Sequence, residues 1–359
     1  MRQCSDGSFV LESIVYYVPT IPDVWSTDRY QHALGLVEAA DESIVVSNAP
    51  VPDALAKRTT TRIVDAEGVL DRGRTAASVA TSAPDSTTFV TSYHYEAVLA
   101  GFIAKQYGVR WVPDVYETPA QYRLNQPRTY HQVTARGLAG LLHRAGRAVH
   151  SFHPETPYQY GSDRRFLPNG APVSIVDPEY ADRSTLHVAW VGSPRLDRGG
   201  ELLVEGLART DSSLLVDVYG TTDPRVESLA VELGVDDVLR FNGRVPHREA
   251  LDGVREADVG YCVLPPRTDW QYAPPIKVGE YLAGATIPLV SDFPGMRYIA
   301  KDAGRYVAPR ADAVATALDD LSALSLADRH GLAEAARERG EEIAWEEVRA
   351  EFAHQVGVR

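Results

Sequence analysis

Short β-branched or apolar runs alternate with stretches of helical period along the chain, and the series is run through twice. Successive strands separated by helices return to one sheet by crossovers, so the alternation calls for parallel sheets covered by helices, an α/β fold. In the first series the expected strands are 13–18, 43–46, 62–64, 88–91, 110–112 and 148–151, and the clearest helices are 28–40, 95–107 and 130–145. The second series has strands at 186–191, 214–219, 238–241 and 259–263, with helices at 200–208 and 275–283. Between them, LPNGAPVSIVDPEYADRST (167–185) is rich in Pro, Gly, Asp and Ser and has no clear period, so the linker between two domains is expected there. The division that follows is 1–175, 176–340 and a closing segment 341–359.

A chain of 359 residues is long enough for two domains that each bury a core. No apolar run approaches the roughly 18–20 residues of a membrane span. The start, MRQCSDGSFV, lacks a basic region followed by an apolar one, so a cytoplasmic location is expected. Cys4 and Cys262 have no partner at metal-site or disulfide spacing, and neither a structural metal nor a cofactor is expected. Acids exceed bases by 13, which argues against a nucleic-acid partner. Only Lys57, Lys105, Lys277 and Lys301 are lysines; adaptation to salt and an arginine-rich codon usage both produce that balance.

Two segments carry the chemistry. In VGSPRLDRGGELLVEGLA (191–208) a buried strand ends at Gly192 and a helix begins near Gly200. Unpaired N–H groups, the positive end of the helix dipole, Arg195 and Arg198 converge there, which suits a diphosphate, although glycine-rich turns also arise for purely geometric reasons. In DWQYAPPIKVGEYLAGATIPLVSD (269–292) a proline pair opens a helix, and Lys277 in its first turn opposes the dipole. A cation so placed points to an anionic ligand. Glu280, on the same face, has the acceptor oxygens that ribose hydroxyls need, and a surface Lys277–Glu280 pair is the alternative.

From Val188 to Ala300 these motifs, with LLVDVYG and VLRFNGRVPHREALDGVREADVGYCVLPP between them and PPIKVGEYLAGATIPLVSDFPGMRYIA after, resemble the donor domain of the retaining glycosyltransferase family four, the glycosyl transferases group 1. TSYHYEAVLAGFIAKQYGVRWVPDVYETP and RFLPNGAPV are similar to its acceptor domain, and IAWEEVRAEFAHQV to its closing helix. The resemblance implies a GT-B fold: two Rossmann-like, doubly wound domains facing a cleft, with a C-terminal helix crossing back to the first. It implies a UDP- or GDP-sugar donor held by Gly192, Ser193, Arg195, Arg198, Arg244, Tyr272, Lys277 and Glu280. Arg198 stands where the family has a diphosphate-gripping lysine, Ser193 where many members have an arginine, and Tyr272 at the first position of the family's glutamate pair. Arg198 and Lys277 are the expected catalytic cations. In the acceptor domain Asp114 and Glu117 are the catalytic candidates and His94 and Tyr116 lie on the acceptor side. The chain has no Asp-x-Asp triplet, consistent with metal-independent transfer.

From Thr118 to Pro154 there is no acid, while Arg123, Arg128, Arg136, Arg144, Arg147, His131, His143, His150 and His153 all occur. Leu138, Leu141, Leu142, Ala145 and Val149 form one apolar helical face opposite Arg136, His143 and Arg147. Attraction to an anionic membrane surface or a polyprenyl-phosphate-linked acceptor is one reading, with a peripheral position on the inner face of the cell membrane; a solvated face is the other. The expected function is transfer of a sugar to a glycan or lipid-linked acceptor in cell-surface assembly. A non-catalytic nucleotide-sugar-binding subunit and a sugar-nucleotide 2-epimerase are the alternatives.

Overall fold

The computed structural model describes residues 11–25, 27–116, 129–180 and 184–357; side chains at 11, 12, 129–135, 268 and 269 are excluded. The chain divides into two compact units, Met1–Pro168 with Glu346–Arg359, and Asn169–Trp345.

In the first unit strands β1 (Leu11–Tyr17), β2 (Ala40–Ser47), β3 (Thr60–Ile63), β4 (Thr88–Ser92), β5 (Arg110–Val115), β6 (Arg147–His150) and β7 (Asp163–Phe166) form one sheet in the order β3-β2-β1-β4-β5-β6-β7. Every pairing is parallel. Ser13–Tyr17 of β1 and all of β4 are buried, as central strands covered on both faces must be. Val15, Tyr17, Val46 and Phe89 pack against the small residues Ala76, Ala77 and Ala80 of helix Gly68–Thr81 and Ala97, Ala100 and Ala104 of helix Tyr95–Gln106. The sequence reading did not include β7. Its residues DRRF carry no apolar run, because an edge strand keeps a charged face to water.

The second unit repeats the plan. Strands β8 (Leu186–Val191), β9 (Leu214–Tyr219), β10 (Leu239–Gly243), β11 (Val259–Cys262), β12 (Ile287–Ser291) and β13 (Arg305–Val307) run parallel in the order β10-β9-β8-β11-β12-β13. Leu186, Val188 and Trp190 of β8 and Val216 and Val218 of β9 pack with Leu203, Val204 and Leu207 of helix Gly200–Leu207.

Asn169–Trp345 begins and ends at one place. Ala171 forms a parallel bridge with Ala344; its N–H donates to the Ile343 carbonyl at 2.8 Å and its carbonyl accepts from Trp345 N–H at 3.0 Å. From Glu346 on, helix Trp345–Val356 belongs to the first unit. Phe352 stacks on His32 at 4.0 Å, Arg349 donates to the Gln31 side chain at 3.1 Å, and the Val356 carbonyl accepts from Arg110 at 2.9 Å. Among the described residues no helix is long and apolar enough to cross a membrane.

Candidate functional site

In both sheets the chain runs outward over three strands and then returns beside the first, so the order reverses between β1 and β4 and between β8 and β11. Helices leave in opposite directions at such a reversal, and the strand ends there are left open to a ligand.

In the second unit Lys277 occupies that reversal. Its ammonium lies 5.9 Å from the centre of the Trp190 ring on β8, and a Cβ added to Gly192 would come within 3.2 Å of Nζ. Burial raises the Cys262 thiol pKa at the end of β11, and the Lys277 charge opposes that rise. One cation thus sits against the end of β8, and its charge acts on the end of β11. It makes no ion pair among the described residues, and helix Ile276–Ala283 has no acid in its first turn. A lysine against a helix N-terminus costs on the order of 0.5 kcal/mol, which an anionic ligand reverses.

The loop beside Lys277 is braced by phenols. The Tyr261 hydroxyl donates to the Gly199 carbonyl at 3.1 Å; the Tyr281 hydroxyl donates to the Tyr261 carbonyl at 2.9 Å and accepts from Val191 N–H at 3.2 Å. Gly199 is required twice over: its φ of +94° lies in the left-handed region, and a Cβ would collide with the Val263 carbonyl oxygen. Gly192, φ +112°, makes the bend that leads from β8 into Ser193.

The two sequence-predicted residues on helix Ile276–Ala283 are not partners of each other. Glu280, 4% exposed, receives His247 Nε2 on Oε1 at 2.7 Å. The surface Lys–Glu pair is therefore not formed, and His247, which sequence reasoning missed, opens the helix after β10. Asn169 and Gly170, in the segment expected as a linker, support this helix: Asn169 Nδ2 donates to the Pro274 carbonyl at 2.6 Å, and a Cβ on Gly279 would collide with the Gly170 carbonyl.

The arginines differ among themselves. Arg195 is held by Asp197 through two bonds of 2.9 and 3.0 Å, so its charge is largely spent inside the loop. Arg267 lies 3.6 Å from the same carboxylate and stacks over Trp270 at 4.3 Å. Arg198, at the end of the turn Leu196–Arg198, and Arg244, after β10, are exposed and have no ion pair among the described residues. Ser193 is exposed, and Tyr272 is half-buried at the end of the short helix Thr268–Gln271.

In the first unit the strand ends hold acids and imidazoles. Asp114, fully buried at the end of β5, accepts from Tyr16 at 2.9 Å and contacts His32 Nδ1 at 3.0 Å. Burial lowers the His32 pKa, but the Asp114 charge and hydrogen bond, with Asp28, outweigh it and leave the imidazole above its ordinary value. His94 precedes helix Tyr95–Gln106 and meets the buried Glu96 carboxylate at 2.5 Å; Asn48 donates to the other oxygen of Glu96 at 2.8 Å. Burial acts to raise the Glu96 pKa, yet these partners bring it below its ordinary value. Tyr116 is half-buried with Arg29 5.9 Å from its ring centre, and Glu117 lies outside the described residues.

The acid-free segment presents less charge than its composition suggests. Arg136, His143 and Arg144 are exposed; Leu138 and Leu142 are buried on helix Thr129–Leu142, but the helix ends there, so Ala145 lies in the turn after it and Val149 and Arg147 on β6, and the expected helical face does not extend to them. Arg147, however, pairs with Asp163 at 2.6 Å, and the buried His150 is neutral: burial pushes its pKa down to about 4. The candidates at 118–128 and the His131 side chain lie outside the described residues.

No protein-family model matches the chain, and comparison with the curated proteins finds no match. Solved structures do match. A glycosyltransferase from Rickettsia africae covers 97% of this chain and 100% of its own at 13% identity, with a TM-score of 0.70. Sucrose-phosphate synthase from Thermosynechococcus elongatus covers 96% and 98% at 17% identity, TM-score 0.71. HepE from Anabaena, in complex with UDP and glucose, covers 96% and 98% at 11% identity, TM-score 0.71. The chain therefore has the GT-B fold, with two Rossmann-like parallel sheets and a closing helix that belongs to the first unit.

Proposed function

We propose that the chain is a glycosyltransferase that moves a sugar from a UDP- or GDP-linked donor to a glycan or lipid-linked acceptor in cell-surface glycan or glycolipid assembly. The reading includes retention at the anomeric carbon and independence of divalent metal. The observation that carries it is the placement of Lys277 at the end of β8, beside the bend at Gly192 and the Trp190 ring. A diphosphate suits that position, and the HepE likeness, a complex with UDP and glucose, favours a nucleotide-sugar.

In the proposed reaction the bond between the anomeric carbon and the diphosphate oxygen breaks as the acceptor oxygen bonds to that carbon. The acceptor proton passes to the departing phosphate. Lys277 and the helix N-termini stabilise the charge that develops there, with Arg198 and Arg244 at the rim. Asp114, enclosed by Tyr16 and His32, acts by holding those side chains, while His94 and Tyr116, with Glu117, serve the acceptor side. Arg136 and Arg144, with His143 exposed beside them, face an anionic lipid surface.

The test is nucleoside diphosphate release from a panel of UDP- and GDP-sugars in EDTA, with and without polyprenyl-phosphate acceptors. Release that rises with one acceptor is expected, the product then being scored for anomeric configuration. Nucleotide binding without release from any donor would favour the non-catalytic subunit.

A further inference from the structure

Glu280 presents an electrostatic problem at an anion site. Glu280 is 4% exposed as a residue, and its carboxylate stands one turn after Lys277 on the same helix face. A buried carboxylate requires a partner, and Lys277 is the nearest cation in sequence. The fold supplies a different one. His247, the first residue of helix His247–Arg255, reaches Glu280 Oε1 through Nε2 at 2.7 Å, while Lys277 turns toward Trp190 and Gly192. The His247 bond fixes one oxygen of the carboxylate and so its plane, and a carboxylate can accept several bonds at once. Both helices begin beyond the carboxyl ends of the strands, His247 after β10 and Glu280 after β11, at the edge where the diphosphate is assigned.

We propose that His247 is a positioning residue that holds the Glu280 carboxylate for the ribose hydroxyls of the donor nucleotide and keeps Lys277 for the diphosphate. This rests on the nucleotide-sugar reading above. The imidazole acts through Glu280 and meets no reacting atom, so removing it lowers recognition of the ribose and spares recognition of the phosphates.

The experiment measures calorimetric affinities of UDP and 2′-deoxy-UDP for the full chain and for His247→Ala and His247→Gln, with melting temperatures taken for each. The unaltered chain is expected to prefer UDP by about tenfold, since one lost charged hydrogen bond is worth roughly 1.5 kcal/mol. His247→Ala is expected to bring the two ligands within about threefold of each other by weakening UDP alone, and His247→Gln, whose amide can still donate to Glu280, to restore most of the preference. Equal weakening of both ligands, or an unchanged preference in a folded His247→Ala protein, would overturn the proposal while leaving the donor site standing. If the unaltered chain binds UDP without preferring it over 2′-deoxy-UDP, Glu280 is not reading that hydroxyl and the proposal falls. GDP and 2′-deoxy-GDP are measured in the same way where UDP does not bind, and failure of the unaltered chain to bind either UDP or GDP overturns the nucleotide reading and this inference with it.

Discussion

The two sheets reverse their strand order in the same way, yet the ends they expose there have opposite character. In the second unit the reversal is lined by glycines and a cation, with the tyrosines behind it acting as braces. In the first it is lined by carboxylates and imidazoles that are mostly engaged with one another, Asp114 with His32 and Tyr16, Glu96 with His94 and Asn48. Topology thus fixes where a ligand can enter a doubly wound sheet, while the few side chains at the strand ends decide its chemistry. On the proposed reading the second edge takes the diphosphate and the first the acceptor hydroxyls, which both donate and accept.

The contrast can be broken most severely at Gly199. Gly199→Ala sets a Cβ against the Val263 carbonyl in a left-handed residue, and a loss of roughly 3 kcal/mol or more in urea unfolding is expected, together with loss of nucleotide binding. If the loop tolerates alanine, the rigid edge assigned to the second unit is not rigid.

The titratable character of the first unit can be sharpened by pH. His150 accepts the Tyr160 N–H at 2.9 Å on Nε2 and sits 3.1 Å from the Arg165 carbonyl with Nδ1, an arrangement that only the neutral ring satisfies. Its pKa is down at about 4, so its contribution to stability is full above about pH 6.5 and is lost as pH falls through 4, to a total of about 3 kcal/mol. His32 runs the other way. Its raised pKa stabilises the fold fully below about pH 6.5, and that contribution fades as pH rises through the folded-state value. Histidine NMR titration should find one imidazole displaced in each direction; two ordinary titrations would remove the distinction.

Smaller effects separate the cations of the second unit. Lys277→Ala is expected to weaken UDP binding by about tenfold to a hundredfold with the fold intact, the range of a lost charge-assisted contact. Arg195→Ala should cost less than about threefold, because its guanidinium is already committed to Asp197. Calorimetry that ranks Arg195 above Lys277 would shift the phosphate site along the loop.

Much of this was legible in the sequence. β8 and β9 fall at their expected residues because an uninterrupted apolar run in a buried parallel strand has few alternative readings. Helix Gly68–Thr81 was not among the expected helices, since it buries only Gly73, Ala76, Ala77 and Ala80, whose small side chains give a weak periodic signal. Lys277 could be read because its position against a helix dipole is a local anomaly. The partner of Glu280 could not, since His247 is distant in sequence and only the packing of two helices brings them together. Arg195 shows the opposite limit: read only as a ligand charge, it pairs with an aspartate two positions later. The basic segment likewise loses Arg147 to Asp163, and burial leaves His150 without charge.

The closing helix has a consequence for synthesis. Phe352, which covers the His32 ring, and Val356, whose carbonyl binds Arg110, are the last parts of the first unit to be made. Asn169–Trp345 is inserted ahead of them and ties its own two ends together through Ala171 and Ala344. The second unit can therefore close as soon as it leaves the ribosome, whereas the unit that begins before it must wait, with the His32 face uncovered, until the helix that follows Trp345 has emerged.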